Sequence, residues 1–295
     1  KGSSKPAFYT KDFPNFILKK EILEENINPA KDTIKLPKIQ KSSLPQNFTS
    51  LKEITNLKTT HKFSFSKLNT YKVCPHKFLL KYKMGYPSLS SQNKGSQIGK
   101  IVHKLIYNSL VFNQILSNEE INILLKEYNV DEDRKVAILN AYNNFKTCKF
   151  SPQNLVNREF SAEYNFNFIY NLCEKNIEFT GDIDLLVKND DNSFSIVDFK
   201  TNANIEKEKD IYYSQLYLYK KAIESQGFIV QSAEILSLNK HGNIDSFYLK
   251  NDEKIKLEFE EDLKNAINCF ENEINLEKIK KTEKCKNCEY NYICL

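Results

Sequence analysis

The chain has 295 residues with 40% hydrophobic and 27% charged side chains, ordinary globular values that exclude a wholly disordered chain and leave room for a sizeable core. Its formal net charge of +5 is mildly basic, which suits a polyanionic partner without demanding one. No apolar run approaches the ~18 residues needed to cross a bilayer and no signal peptide opens the sequence, so no membrane contact and an intracellular setting, cytoplasm or nucleoid, are expected.

Residues 1–62 are rich in Lys, Asn, Ser and Pro, with one amphipathic patch from Phe13 to Leu23 that suits a short helix. They read as an arm or linker, and the start at Lys1 suggests a piece of something longer. From Phe63 the pattern changes. Ser64 and Ser66 are good caps ahead of Leu68 and Tyr71, and after the break at Pro75 come Phe78, Leu79 and Tyr82, giving two short helices with Cys74 between them. Between Gly95 and Leu110 the residues Ile98, Ile101, Val102, Leu105 and Ile106 recur at helical period, and His103 rides on that helix. Ser117 and Glu120 form a capping box for a helix through Leu125, and Val136 to Phe145 continues helical.

The period then shortens to two. Tyr164, Phe166 and Phe168 alternate with polar residues, and Phe179–Val187 and Phe194–Phe199 are further strand-like runs, expected side by side in one sheet. A helix from about Glu206 to Ser225, strands at Phe228–Leu238 and Ser246–Leu249, and a last helix near Glu253–Asn272 complete the body. A helical N-terminal half followed by strands with an inserted helix predicts an α/β layered fold, a mixed sheet flanked by helices.

The most informative stretch is Gly181-Asp182-Ile183-Asp184, followed fourteen residues after Asp184 by Asp198-Phe199-Lys200. Strand alternation puts Asp198 and Lys200 on one face and Phe199 on the other. If Asp184 ends the neighbouring strand, its carboxylate meets that of Asp198, and two such oxygens make the hard cage preferred by Mg2+ or Mn2+. Lys200 would then hold water or phosphate beside the ion. An isolated Asp-x-Lys is ordinarily a surface ion pair. Here the apolar lead-in Ser195-Ile196-Val197 marks a buried strand, where unpaired charge is costly. Glu163, with Glu159 as competitor, is placed to complete the acidic cluster or orient a metal-bound water. Gln215 and Tyr219 share one helix face and suit contact with the lysine or a DNA phosphate.

Of the seven cysteines, Cys285, Cys288 and Cys294 form C-x2-C-x5-C, a spacing for metal or cluster ligation with a fourth position open. Cys74 is the best candidate for it, and four thiolates suit either a 4Fe-4S cluster or zinc. Cys148, Cys173 and Cys269 are expected to be buried as small hydrophobes.

Taken in order, Ser66 to Tyr71, Cys74-Pro75, Gly99 to His103, Glu163, Gly181 to Asp184, Asp198 to Lys200, Gln215 to Tyr219 and the cysteine triplet resemble the RecB-like, iron-sulfur branch of the PD-(D/E)xK nuclease superfamily over residues 63–295. The resemblance implies a restriction-endonuclease-like core, a 4Fe-4S cluster on Cys74, Cys285, Cys288 and Cys294 joining the domain ends, and Mg2+- or Mn2+-dependent cleavage of DNA, often from single-stranded ends. It further implies His103, Asp184, Asp198 and the backbone carbonyl of Phe199 as metal ligands, Glu163 as the acidic position and Lys200 as the catalytic lysine. Within the group the chain looks like the nuclease part of a UvrD/Rep-type or AddB-like helicase-nuclease of DNA repair and recombination. No Gly-x-x-x-x-Gly-Lys-Ser/Thr loop occurs here, so a helicase motor would be a partner or another part of the same protein. A non-cleaving DNA-binding module, a zinc-stabilised interaction domain and a stand-alone CRISPR-associated exonuclease are the alternatives.

Overall fold

The computed structural model describes residues 61–88, 94–202, 205–239, 244–250, 252–272, 285–286 and 288–294, with backbone alone for 94–96, and every one of them belongs to a single compact unit. The expected arm helix at Phe13–Leu23 lies outside the described residues. Among the described residues six strands form one mixed sheet: β1 His61–Phe63, β2 Phe160–Leu172, β3 Lys175–Lys188, β4 Phe194–Lys200, β5 Val230–Leu238 and β6 Ile244–Tyr248. The order is β1-β3-β4-β5-β6, with β2 paired to β3. β1/β3 and β4/β5 run parallel, and the other pairs run antiparallel.

Local chemistry accounts for the helices. Ser64 accepts from the Lys67 N–H to cap α1 (Phe65–Val73). Cys74 ends α1 and starts α2 (Pro75–Tyr82), its sulfur accepting from the Lys77 N–H with Pro75 in the first turn. Helix α3 spans Lys94–Val111, and the capping box of Ser117 and Glu120 opens α4 (Asn118–Glu127) as its sequence requires. Asp131 caps α5 (Glu132–Thr147), which starts four residues earlier than the apolar periodicity from Val136 indicates. Helices α6 (Ile205–Glu224) and α7 (Asp252–Glu271) follow. No helix among the described residues is long and apolar enough to cross a membrane.

The sheet separates two cores. On one side Ile183, Leu186, Ile196 and Ile235 pack with Leu68, Phe78, Leu216 and Phe259 of α1, α2, α6 and α7. On the other, Leu185, Val197, Phe199 and Leu236 pack with Ile101, Leu105, Ile138 and Phe145 of α3 and α5. Phe199 meets Phe145 edge-on at 5.7 Å. Strand β4 is therefore covered on both faces, which is why its sequence reads as an unbroken apolar run up to Asp198.

Two findings depart from the sequence reading. β1 starts at His61 and pairs with Ile177–Phe179, a strand too short to show any period. The β2–β3 hairpin is longer at its turn, because Cys173 and Glu174 both take left-handed φ (48° and 61°) between the paired Leu172 and Lys175. That turn geometry normally announces itself through Asn or Gly, and neither is present. Cys173 is thus exposed at the hairpin tip, correcting its expected burial, whereas Cys148 and Cys269 are buried.

Gly181 lies opposite Phe166 on β2, and a Cβ there would stand 2.8 Å from Phe166 Cζ. The ring cannot swing away freely, since it is buried and packs edge-on against Tyr219 at 5.6 Å. Gly181→Ala should therefore cost about 1–3 kcal/mol by overpacking. Thermal unfolding reads this as roughly 2–4 °C per kcal/mol for a domain of this size. An unchanged or raised Tm would show that the ring relocates without penalty.

Candidate active site

Strands β3 and β4 pair from Lys188 and Phe194 up to Leu185 and Val197, and then splay. Beyond that point β3 continues beside β2 while β4 continues beside β5. Asp184 and Asp198 are the first residues past the last pair, so both carboxylates fall at the split. Asp184 bridges it: its Oδ2 accepts from the Phe199 N–H at 2.7 Å, replacing a missing ladder bond, and its Oδ1 lies 3.2 Å from His103 Nδ1 on α3. On β2, Glu163 stands between the pairs Ala162–Leu185 and Tyr164–Ile183 at left-handed φ (49°), so the pairing is interrupted opposite Asp184 without a change of register. His103, Glu163, Asp184 and Phe199 line one small cavity together with Ile106 and Tyr107.

Asp198 and Lys200 face the α6 side, as alternation requires. Lys200 Nζ is 2.6 Å from Asp198 Oδ2 and lies over the Tyr212 ring, 5.1 Å from its centre. Asp198 is only 1% exposed. A buried carboxylate is costly unless a cation pairs with it, and here the Lys200 ammonium does so.

The electrostatics agree. Burial pushes the Asp198 carboxyl up from 3.8 to about 6; the ammonium of Lys200 pulls against this and the charge of Asp184 adds to it. Burial acts on Asp184 in the same sense, but His103, Lys200 and the Phe199 N–H outweigh it and hold that carboxyl below its ordinary range. His103 is desolvated, yet Asp184 raises it overall, and Lys200 is likewise raised by Asp198 and Asp184 against burial. The carboxyl of Glu163, an exposed residue, is raised, chiefly by desolvation.

Two carboxylates, an imidazole and the adjoining backbone carbonyl are hard donors of the kind that Mg2+ or Mn2+ takes. The residues fit such an ion by the chemistry of the donor set, since Asp198 is a buried carboxylate on which the charge of Asp184 also acts and a divalent cation would offset both. They do not stand as a ready-made cage: among the described residues no three His, Cys, Asp or Glu side chains are grouped to hold a metal. Each carboxylate is turned to its own cation instead, Asp184 to His103 and Asp198 to Lys200.

A pH dependence follows. The folded-state value of Asp198 lies above its ordinary 3.8, so its ionisation opposes folding as pH rises from about 4 to about 6, and an ion requires that ionised form. His103, whose proton is held more tightly than usual, acts in the same direction. The Mn2+-induced rise in Tm should be full at pH 7.5 and nearly gone at pH 5. A shift independent of pH over that range would contradict the ligand assignment.

Gln215 and Tyr219, expected to contact the lysine or DNA, are joined by a 2.6 Å hydrogen bond from Gln215 Nε2 to the Tyr219 hydroxyl. Tyr219 is 6% exposed, and burial together with the nearby charges of Asp198 and Asp184 raises its hydroxyl well above the ordinary range. It lies beneath the site. Tyr212 was missed by sequence reasoning, although its position seven residues before Tyr219 puts it on the same helix face.

The cysteines occupy two regions that the fold joins. Lys77 of α2 pairs with Glu289 at 3.1 Å, Tyr290 is buried and its hydroxyl donates to the Tyr86 carbonyl, and Cys294 Sγ lies 3.5 Å from His76 Nδ1. The C-terminal segment is thereby docked on the first turn of α2, next to Cys74. The expected four-thiolate group is not assembled, because Cys74 Sγ caps α2 and Cys294 Sγ faces His76.

The model of one protein family, described as the PD-(D/E)XK nuclease superfamily, matches residues 62–295. The crystal structure of a "Putative exonuclease" from Eubacterium rectale is similar in fold, with a TM-score of 0.54 at 10% identity over 84% of this chain and 94% of that one. The crystal structure of SSO0001 aligns with a TM-score of 0.41 at 14% identity over 82% of this chain and 90% of that one. No curated protein matches the sequence significantly.

Proposed function

The chain belongs to the PD-(D/E)XK nuclease superfamily, and from that premise we propose that it is a divalent-metal-dependent deoxyribonuclease that hydrolyses phosphodiester bonds from DNA ends. The observation that supports the reading is the strand split at which Asp184 and Asp198 both fall, the charge of Asp184 acting on the buried Asp198 and Lys200 pairing with it. Asp184, Asp198, His103 and the Phe199 carbonyl would hold Mg2+ or Mn2+. When bound, that ion supplies Lewis acidity toward the phosphate and a water acidic enough to attack it.

The side chains of the chain itself do the rest. The Lys200 ammonium, kept charged by Asp198 and Asp184, pairs with the non-bridging oxygens of the scissile phosphate, where negative charge grows. The carboxyl of Glu163 orients water at the cavity mouth and accepts its proton. His103 fixes the rotamer of Asp184 through their 3.2 Å contact, while Gln215 and Tyr219 support this floor from α6, where Gln215 would contact DNA.

The finer reading places this activity in the cytoplasm or nucleoid, in repair and recombination, coupled to a helicase motor that delivers single-stranded ends. The resemblance of the ordered motifs supports it. A 4Fe-4S cluster on Cys74, Cys285, Cys288 and Cys294 is part of the same proposal, supported by the cysteine spacing and by docking of the C-terminal segment beside Cys74. Iron and sulfide, about four of each per chain after anaerobic purification, are the expected analysis; zinc without iron would remove the cluster.

Digestion of end-labelled single- and double-stranded DNA with Mg2+, Mn2+ or EDTA tests the function. Cleavage with either ion and none with EDTA is expected. Binding without turnover in Mn2+ would instead identify a non-cleaving DNA-binding module.

A further inference from the structure

A groove of about 490 Å³ runs between the C-terminal turn of α3 and the start of β2, within the ~300–1,000 Å³ range of ligand sites. Its lining includes Leu110, Val111, Val156, Arg158, Phe160 and Ala162. Both walls continue into the catalytic cavity. On α3, Ile106 and Tyr107 line the cavity, and Leu110 and Val111, one turn further, line the groove. On β2, Ala162 lines the groove and the next residue, Glu163, lines the cavity. One helical turn is about 5.4 Å, so a polymer with a phosphate at the carboxylates lays its adjoining unit here.

The groove's chemistry matches one kind of unit. Val111 and Val156 are 51% and 62% exposed, an apolar surface set beside a strongly charged site. Arg158 is one of only two arginines in a chain whose other basic residues are lysines, and the second, Arg134, is engaged with Asp131 and Gln97. Arg158 Nη2 donates to Asn189 Oδ1 at 2.8 Å, which orients the guanidinium, and the group's five N–H donors exceed that single bond. A fixed planar fork suits a phosphate, and an apolar wall suits the flat face of an unpaired base. A base pair stacked inside a duplex offers no such face.

We propose that this groove holds the nucleotide next to the scissile phosphate, with its base against Val111, Val156 and Phe160 and its phosphate on Arg158. The inference rests on the nuclease reading of the adjoining site.

Cleavage of an end-labelled single-stranded oligonucleotide by wild type, Arg158→Ala, Arg158→Lys and Val156→Asp tests it. Arg158→Ala is expected to raise KM about tenfold with kcat held within about threefold, and to flatten the salt dependence of binding by about 0.7, the loss of one single-strand phosphate contact. Arg158→Lys should restore part of the affinity, and Val156→Asp should raise KM without lowering Tm. Wild-type KM and salt slope in Arg158→Ala and Val156→Asp, with cleavage intact, would overturn the groove assignment and leave the nuclease reading standing. Capture of a protein at this surface with no change in DNA parameters would overturn it as well. If wild type does not cleave at all, the nuclease reading fails, while fluorescence anisotropy with the same oligonucleotide still decides the groove.

Discussion

Asp198→Asn should abolish metal-dependent cleavage, a fall of roughly 10³-fold or more for loss of a group that acts as a unit with the ion and the lysine. The metal-free variant should nevertheless melt higher than wild type at pH 7.5. Burial has raised the Asp198 carboxyl to about 6, so holding it ionised at that pH opposes folding, and the neutral amide has the same shape without that penalty. The Mn2+-induced rise in Tm should vanish with the charge. Three readouts therefore move together in defined directions: activity lost, metal shift lost, metal-free stability gained. Cleavage near the wild-type rate in Asp198→Asn would show that the reaction uses another site.

Lys200→Met should separate chemistry from metal binding. The methionine keeps an apolar stem of similar length and removes the ammonium, which pairs with Asp198 and lies over the Tyr212 ring. The cleavage rate is expected to fall about 10²- to 10³-fold, as for deletion of one preorganised charge partner of a transition state. The Mn2+ thermal shift should persist or grow, because the carboxylates lose a competing cation. The metal-free protein should lose stability, by less than the roughly 3–5 kcal/mol typical of breaking a buried ion pair. Two features soften the loss: the Lys200 side chain is 18% exposed, and Asp198 readily takes a proton. Loss of the metal shift in Lys200→Met would mean that the lysine organises the ligands rather than the substrate.

The two variants interrogate one physical arrangement, the gap opened where β3 leaves β4. A backbone ladder interrupted at a sheet's centre leaves amide groups that need partners, and the Asp184 carboxylate answers one of them through the Phe199 N–H. The same gap leaves Asp198 buried beside a second acid. The affinity for a divalent ion proposed above would thus be a consequence of how the strands part.

Several elements were legible because their signals are local. The capping box of Ser117 and Glu120, the apolar stripe of α3 carrying His103, and the buried run ending in Asp198 and Lys200 all follow from contacts within a few residues along the chain. Other elements were not. β1 is held by a partner more than a hundred residues away, and the Cys173–Glu174 turn adopts left-handed backbone without the residues that favour it. Cys173 accordingly sits exposed at a hairpin tip, where burial had been expected.

The sequence by itself determined the alternating layers, the face shared by Asp198 and Lys200, and the acids available to the site, since periodicity and residue type are properties of neighbours in the chain. Only the tertiary structure decided that Asp184 is shared between His103 and the Phe199 amide, that Tyr219 lies beneath the carboxylates, and that the C-terminal segment docks beside Cys74. Those outcomes depend on segments distant in sequence meeting at distances of a few ångströms. Burial and charge proximity, which set proton affinity there, arise only when the chain has closed on itself.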